Sequence, residues 1–171
     1  MNLYNGLIPA WARPFEFQIF SLKKLSADGV DQMRLFMFEK DGERGLAKAE
    51  GNMFRGLALG HKDCPGDLDF ILGSGFGLEK AGQLLAEAPE LDPSGIVFCP
   101  PLARPGKIIC LGMNYKAHTE EFKRQAPKYP ELFVRFPTTL VGHLRPIIKP
   151  VLSDQLDYEG EMAAVIGKAG R

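Results

Sequence analysis

The chain has no cysteine framework, no surplus of either charge and no long apolar run, and each lack removes a class of function. Its three cysteines, Cys64, Cys99 and Cys110, are odd in number and show no C-x-x-C spacing. They read as reduced thiols of a cytoplasmic protein, not as a disulfide frame or a zinc site. Lys plus Arg equals Asp plus Glu at 21 each, so no broad field draws the chain to nucleic acid or an anionic membrane. No apolar stretch approaches the roughly 18 residues that a membrane span requires. Residues Met1 to Pro14 lack a basic segment followed by an apolar one, so a secretory leader is not expected. What remains is ordinary for a globular protein: 171 residues, 45% hydrophobic and 25% charged, enough to bury one core or a small pair.

Residues 1–32 mix aromatic and polar residues without a sustained period and are set apart as an extension. Met33-Arg34-Leu35-Phe36-Met37-Phe38 predicts a strand closed by the turn pair Asp41-Gly42. A further strand pair is expected around Glu50-Gly51-Asn52. Leu78, Ala81, Leu84, Leu85 and Ala88 share one face at helical spacing, and Pro89 ends that helix. The glycine run Gly73-Ser74-Gly75-Phe76-Gly77 lacks phosphate-loop spacing and reads as a turn before the helix. Ile96-Val97-Phe98 is a short strand. The proline-rich stretch Pro100 to Gly106 marks a domain boundary, giving regions 33–99 and 100–171. The second region is expected to hold strands at Lys107–Leu111 and Leu132–Phe136, with Pro146–Pro150 and a final glutamate strand completing the set. Tyr115 to Lys123 reads as a short helical turn.

The densest chemistry lies in Asp157-Tyr158-Glu159-Gly160-Glu161. In a strand, residues i and i+2 point to one face, so Glu159 and Glu161 would stand side by side. Their mutual repulsion calls for an offset, and a hard divalent cation with oxygen ligands supplies one. Spacing alone equally describes the polar face of a solvated strand. The apolar run Met162-Ala163-Ala164-Val165-Ile166 favours a buried strand, where carboxylates need partners. His118 and Glu121 stand three apart on the expected helical turn. There a carboxylate orients an imidazole and raises its basicity, which suits a general base; a lone surface histidine among charges has the same spacing. His61 and His143 lack partners at ligand spacing and read as surface or satisfied residues. Cys110, on an apolar strand, reads as packing.

Taken in order, Pro105-Gly106-Lys107-Ile108-Ile109-Cys110-Leu111-Gly112-Met113-Asn114-Tyr115, His118 and Glu121, Phe133-Val134-Arg135-Phe136-Pro137, Leu140-Val141-Gly142, and Asp157-Tyr158-Glu159-Gly160-Glu161 with Val165-Ile166-Gly167-Lys168 resemble the fumarylacetoacetate hydrolase family. The resemblance runs from about Pro100 to Arg171, and more weakly over 33–99. It implies an α+β, β-rich fold: a small N-terminal β/α domain, then the first part of a mixed β-roll. It implies Mg²⁺ or Mn²⁺ held by Glu159 and Glu161, His118 as the group that activates water or moves a proton, and Glu121 as its acid partner. Arg135 stands where the family usually has lysine, a planar fork in place of a point cation on the substrate. The implied activity is a metal-dependent hydrolase or isomerase, or a decarboxylase, of small 2-oxo or 1,3-dicarbonyl acids of acylpyruvate or hydroxymuconate type. These belong to the catabolism of aromatic-derived acids, and the intact form is expected to be a cytoplasmic homodimer. The family's third metal ligand, an aspartate, would fall beyond Arg171, so the chain is expected to cover only the opening of the catalytic domain and to be inactive alone. The alternative is a non-catalytic interaction module or pseudoenzyme that completes its sheet with a partner chain.

Overall fold

The structure, a computed structural model, describes residues 21–23, 32–115, 120, 123, 127–158 and 160–167. It is a β-rich α+β arrangement of antiparallel sheets with few helices. Strands β1 (Ser21–Lys23), β2 (Gln32–Lys40), β3 (Glu43–Glu50) and β4 (Met53–Ala58) follow one another in a single sheet. The short β5 (Val97–Phe98) pairs with the far end of β2.

Both hairpin turns follow from their residues. At Asp41-Gly42 both φ angles are positive, 53° and 81°, the type I′ pattern that matches strand twist and favours Asp-Gly. At the second, Gly51 carries φ 59°, as the first central position of a type II′ turn requires.

Alternation along β2 gives the sheet two buried faces. Leu35 and Met37 enter one core with Leu46 and Leu57, beneath helices α1 (Leu68–Ser74) and α2 (Leu78–Ala86). Phe36 and Phe38 enter the other with Ala47, Ala49 and Phe54, where Leu91, Ile96 and Phe98 pack. Phe36 meets Phe54 at 4.9 Å and Phe98 at 5.3 Å between ring centroids, tilted contacts that aromatic quadrupoles favour.

The expected helix is present, with one correction. Ala81 and Leu85 are fully buried and Ala88 nearly so, but Leu84 is exposed. Leu84 lies about 100° round the helix from Leu85, off the stripe, and Gly82 takes the buried place instead. A Cβ there would collide with the Met33 sulfur, so the missing side chain leaves room for the Met33 side chain. Helix α1 was not expected. Its signals are local: Asp67 caps it by accepting from Phe70 N–H at 2.8 Å, and Gly75 ends it in the left-handed conformation, φ 74°. The glycine run is therefore the joint between two helices.

Beyond the first sheet, β6 (Ile108–Gly112) and β7 (Glu131–Arg135) form an antiparallel ribbon. The two further strands expected are not formed. Residues 145–150 and 160–167 have no regular structure, and Ile147, Ile148, Met162 and Ile166 are largely exposed. A strand needs a neighbour to complete its main-chain bonds, and among the described residues none lies beside these segments. Most of the helical turn expected over Tyr115 to Lys123, and residues 1–20 and 24–31 of the expected extension, lie outside the described residues. No helix among the described residues is long and apolar enough to cross a membrane.

Candidate functional site

The β6–β7 ribbon sorts the second region's residues by face. Directly opposed residues of an antiparallel pair share a face. Ile108, Cys110 and Gly112 oppose Arg135, Phe133 and Glu131, while Ile109 and Leu111 oppose Val134 and Leu132. One face is therefore wholly aliphatic, and all four of its side chains are exposed. The other carries the candidate substrate cation. Arg135 is exposed, with its guanidinium carbon 5.1 Å from the Phe133 ring centroid, close enough for a cation–π contact that steadies its fork.

At the end of β6 the chain turns through Met113, a non-glycine residue at φ 52°. Asn114 and Tyr115 follow, exposed and off the ribbon. The Tyr115 hydroxyl accepts a hydrogen bond from the Met162 N–H at 3.1 Å. Thus the segment after β6 and the segment carrying Glu161, far apart in sequence, are brought together.

Glu161 is exposed on an irregular stretch, not on the buried strand expected of it. No ion pair among the described residues involves it. Glu159, His118 and Glu121 lie outside the described residues, so the geometry of the expected metal pair and acid–base pair is not described. Among the described residues no three His, Cys, Asp or Glu side chains stand together as a metal-holding group. Glu161 presents accessible carboxylate oxygens, the donor type that a hard divalent cation takes.

Two contacts that spacing did not reveal seat this region on α1 and on the first sheet. The Asp69 carboxylate, on α1, accepts from the N–H groups of Ala103 and Arg104 at 2.8 and 3.0 Å. Gly142 is buried against the main chain of Phe98 and Cys99, and the His143 ring meets Phe98 at 5.4 Å. His143 is thus a packed histidine. His61 is exposed, and its Nδ1 accepts from Asp63 N–H at 3.2 Å. All three cysteines are free and half-buried. Burial pushes the Cys64 thiol above its ordinary pKa, opposed by a hydrogen bond from the Gly66 main chain and assisted by the nearby Asp67 charge.

Residues 107–171 match the family described as fumarylacetoacetate (FAA) hydrolase C-terminal. Similar proteins include the oxaloacetate tautomerase Fahd2a, mitochondrial, of Rattus norvegicus, 42% identical over 88 residues, which are 52% of this chain and 28% of that protein. The fumarylacetoacetate hydrolase domain-containing protein 2 homolog of Dictyostelium discoideum is 51% identical over 67 residues, 39% of this chain and 22% of that protein. A solved fumarylacetoacetate hydrolase from Exiguobacterium antarcticum has a TM-score of 0.48 and 25% identity, covering 64% of this chain and 37% of the other. The similarity to the fumarylacetoacetate hydrolase family thus rests on residues 107–171 and the stretches aligned with these relatives. The matched stretch spans about a quarter of the curated relatives' length, 28% for the rat protein.

Proposed function

We propose that the chain is part of an enzyme that moves a proton, or breaks a C–C bond, beside the ketone of a small 2-oxo or 1,3-dicarbonyl acid with the aid of Mg²⁺ or Mn²⁺. The observation that carries this reading is the family match over 107–171, which takes in every candidate site residue. The relatives named as oxaloacetate tautomerases favour isomerisation, the keto–enol shift, within that range.

Glu159 and Glu161 would hold the cation through hard carboxylate oxygens. The ion supplies Lewis acidity toward a chelating 2-oxo acid. His118, with Glu121 as its acid partner, would take the proton from the carbon next to the ketone and deliver it to the ketone oxygen. Arg135 offers a planar pair of donors to the substrate's far carboxylate, and its stacking on Phe133 limits how far that fork wanders.

The test is Mn²⁺ binding to the chain by calorimetry beside Glu161→Ala and Glu159→Ala. Binding in the parent chain that falls at least about tenfold in either variant, or roughly 1.4 kcal/mol, supports the reading. Equal binding in all three, or none in the parent, overturns it. A second reading is favoured by the exposed aliphatic face of Ile109, Leu111, Leu132 and Val134: a non-catalytic module that covers this face with a partner chain. Concentration-dependent self-association or pairing without metal binding would favour that module.

A further inference from the structure

Segment 160–167 carries a candidate ligand yet has little to hold it. Among the described residues, no main-chain ladder or turn bond reaches it, and most of its side chains are exposed. Two contacts do reach it: Leu72 lies beside Gly167, 3.0 Å from where a Cβ would stand, and Met162 N–H donates to the Tyr115 hydroxyl at 3.1 Å. The second is directly adjacent to Glu161. Tyr115 stands three residues past the end of β6, beyond the left-handed turn at Met113.

We propose that Tyr115 is a positioning residue, whose hydroxyl fixes the main chain at Met162 and so holds the adjoining Glu161 carboxylate beside the end of β6. Its consequence for metal affinity rests on the reading of Glu161 as a ligand, but the tether itself does not. A ligand on an irregular segment loses more conformational freedom on binding than one already held. Removing one hydroxyl should therefore weaken binding without touching any atom that coordinates the ion.

The experiment compares the chain with Tyr115→Phe, following Met162 amide exchange by NMR, Mn²⁺ affinity by calorimetry and the melting temperature. Tyr129→Phe, at another exposed tyrosine, serves as the control. The expected result is about three- to tenfold faster exchange at Met162 and a similar loss of Mn²⁺ affinity, the factor an ordinary net hydrogen bond supplies. The melting temperature and the control should be unchanged. Unchanged exchange overturns the proposal, as does faster exchange with unaltered Mn²⁺ affinity, or an equal effect in Tyr129→Phe. If the parent chain takes up no Mn²⁺, the metal reading fails. The tether is then decided by the Met162 amide alone, faster exchange supporting it and unchanged exchange refuting it.

Discussion

Replacing Gly142 by alanine adds one methyl group at the place where the second region meets the first sheet. That Cβ would stand 2.8 Å from the Phe98 carbonyl carbon and 3.2 Å from Cys99 Cα, and closer still to the Phe98 carbonyl oxygen. These are main-chain atoms, and they are pinned. Phe98 pairs with Phe38 in the sheet, and Cys99 N–H bonds Met37 C=O at 2.9 Å. No rotamer change relieves the clash, so the segment at 142–143 must lift and carry His143 off the Phe98 ring. Overpacking of this kind costs about 1–3 kcal/mol, with the aromatic contact adding to the upper end. Gly73→Ala is the matched control. Gly73 lies in α1, is exposed, and has nothing within 4 Å of its added methyl. There alanine should stabilise by about 0.5–1 kcal/mol through helix propensity. Urea unfolding of both variants should move the midpoint in opposite directions at constant m-value. A Gly142→Ala chain as stable as the parent, or both variants shifting the same way, would show that 142–143 does not rest on β5.

Two further substitutions or perturbations test the packing around α1. Asp67→Ala removes the α1 cap and should cost about 0.5–2 kcal/mol, read as a lowered urea midpoint; Asp67→Asn, which keeps an accepting oxygen, should recover most of it. The Cys64 thiol, held above its ordinary value first by burial, should be alkylated more slowly at pH 8 than a thiol in the urea-unfolded chain. Because the folded state keeps the proton that the unfolded state releases, Cys64's contribution to stability is full below the unfolded thiol pKa. It is lost as pH rises through the raised folded value. Cys64→Ser should flatten that alkaline slope in pH-dependent melting.

Strands β2 to β5 of the first sheet were legible because their information is local, whereas β1 lies in the stretch set apart as an extension and was not expected. Asp41-Gly42 and Glu50-Gly51-Asn52 name their turns, and the apolar run from Met33 to Phe38 names the strand, though not that both of its faces are buried. The helix face was legible to the same degree and failed only at Leu84, where an apolar residue was counted into a stripe it lies beside. Helix α1 was missed because a seven-residue helix offers too few repeats for a period, although its cap residues were in plain view. Gly142, Asp69 and Tyr115 could not be placed at all. Each acts on a partner dozens of residues away, and nothing in its own neighbourhood encodes that partner.

The glutamate segment shows the opposite case, a strong pattern that local reasoning placed wrongly. Met162 to Ile166 is apolar enough to be a buried strand, but a strand is a property of a pair, and burial is a property of what lies above it. Among the described residues neither is present, and the same residues are irregular and exposed. The order of residues from Lys107 onward still carried the resemblance that the family match over 107–171 repeats, because that order records which side chains a chemistry requires. It does not record what holds them. Beside Glu161, the hydrogen bond seen among the described residues is the one that the Met162 N–H donates to the Tyr115 hydroxyl, and on our proposal the ordering of the carboxylate depends on a residue that no carboxylate spacing would have named.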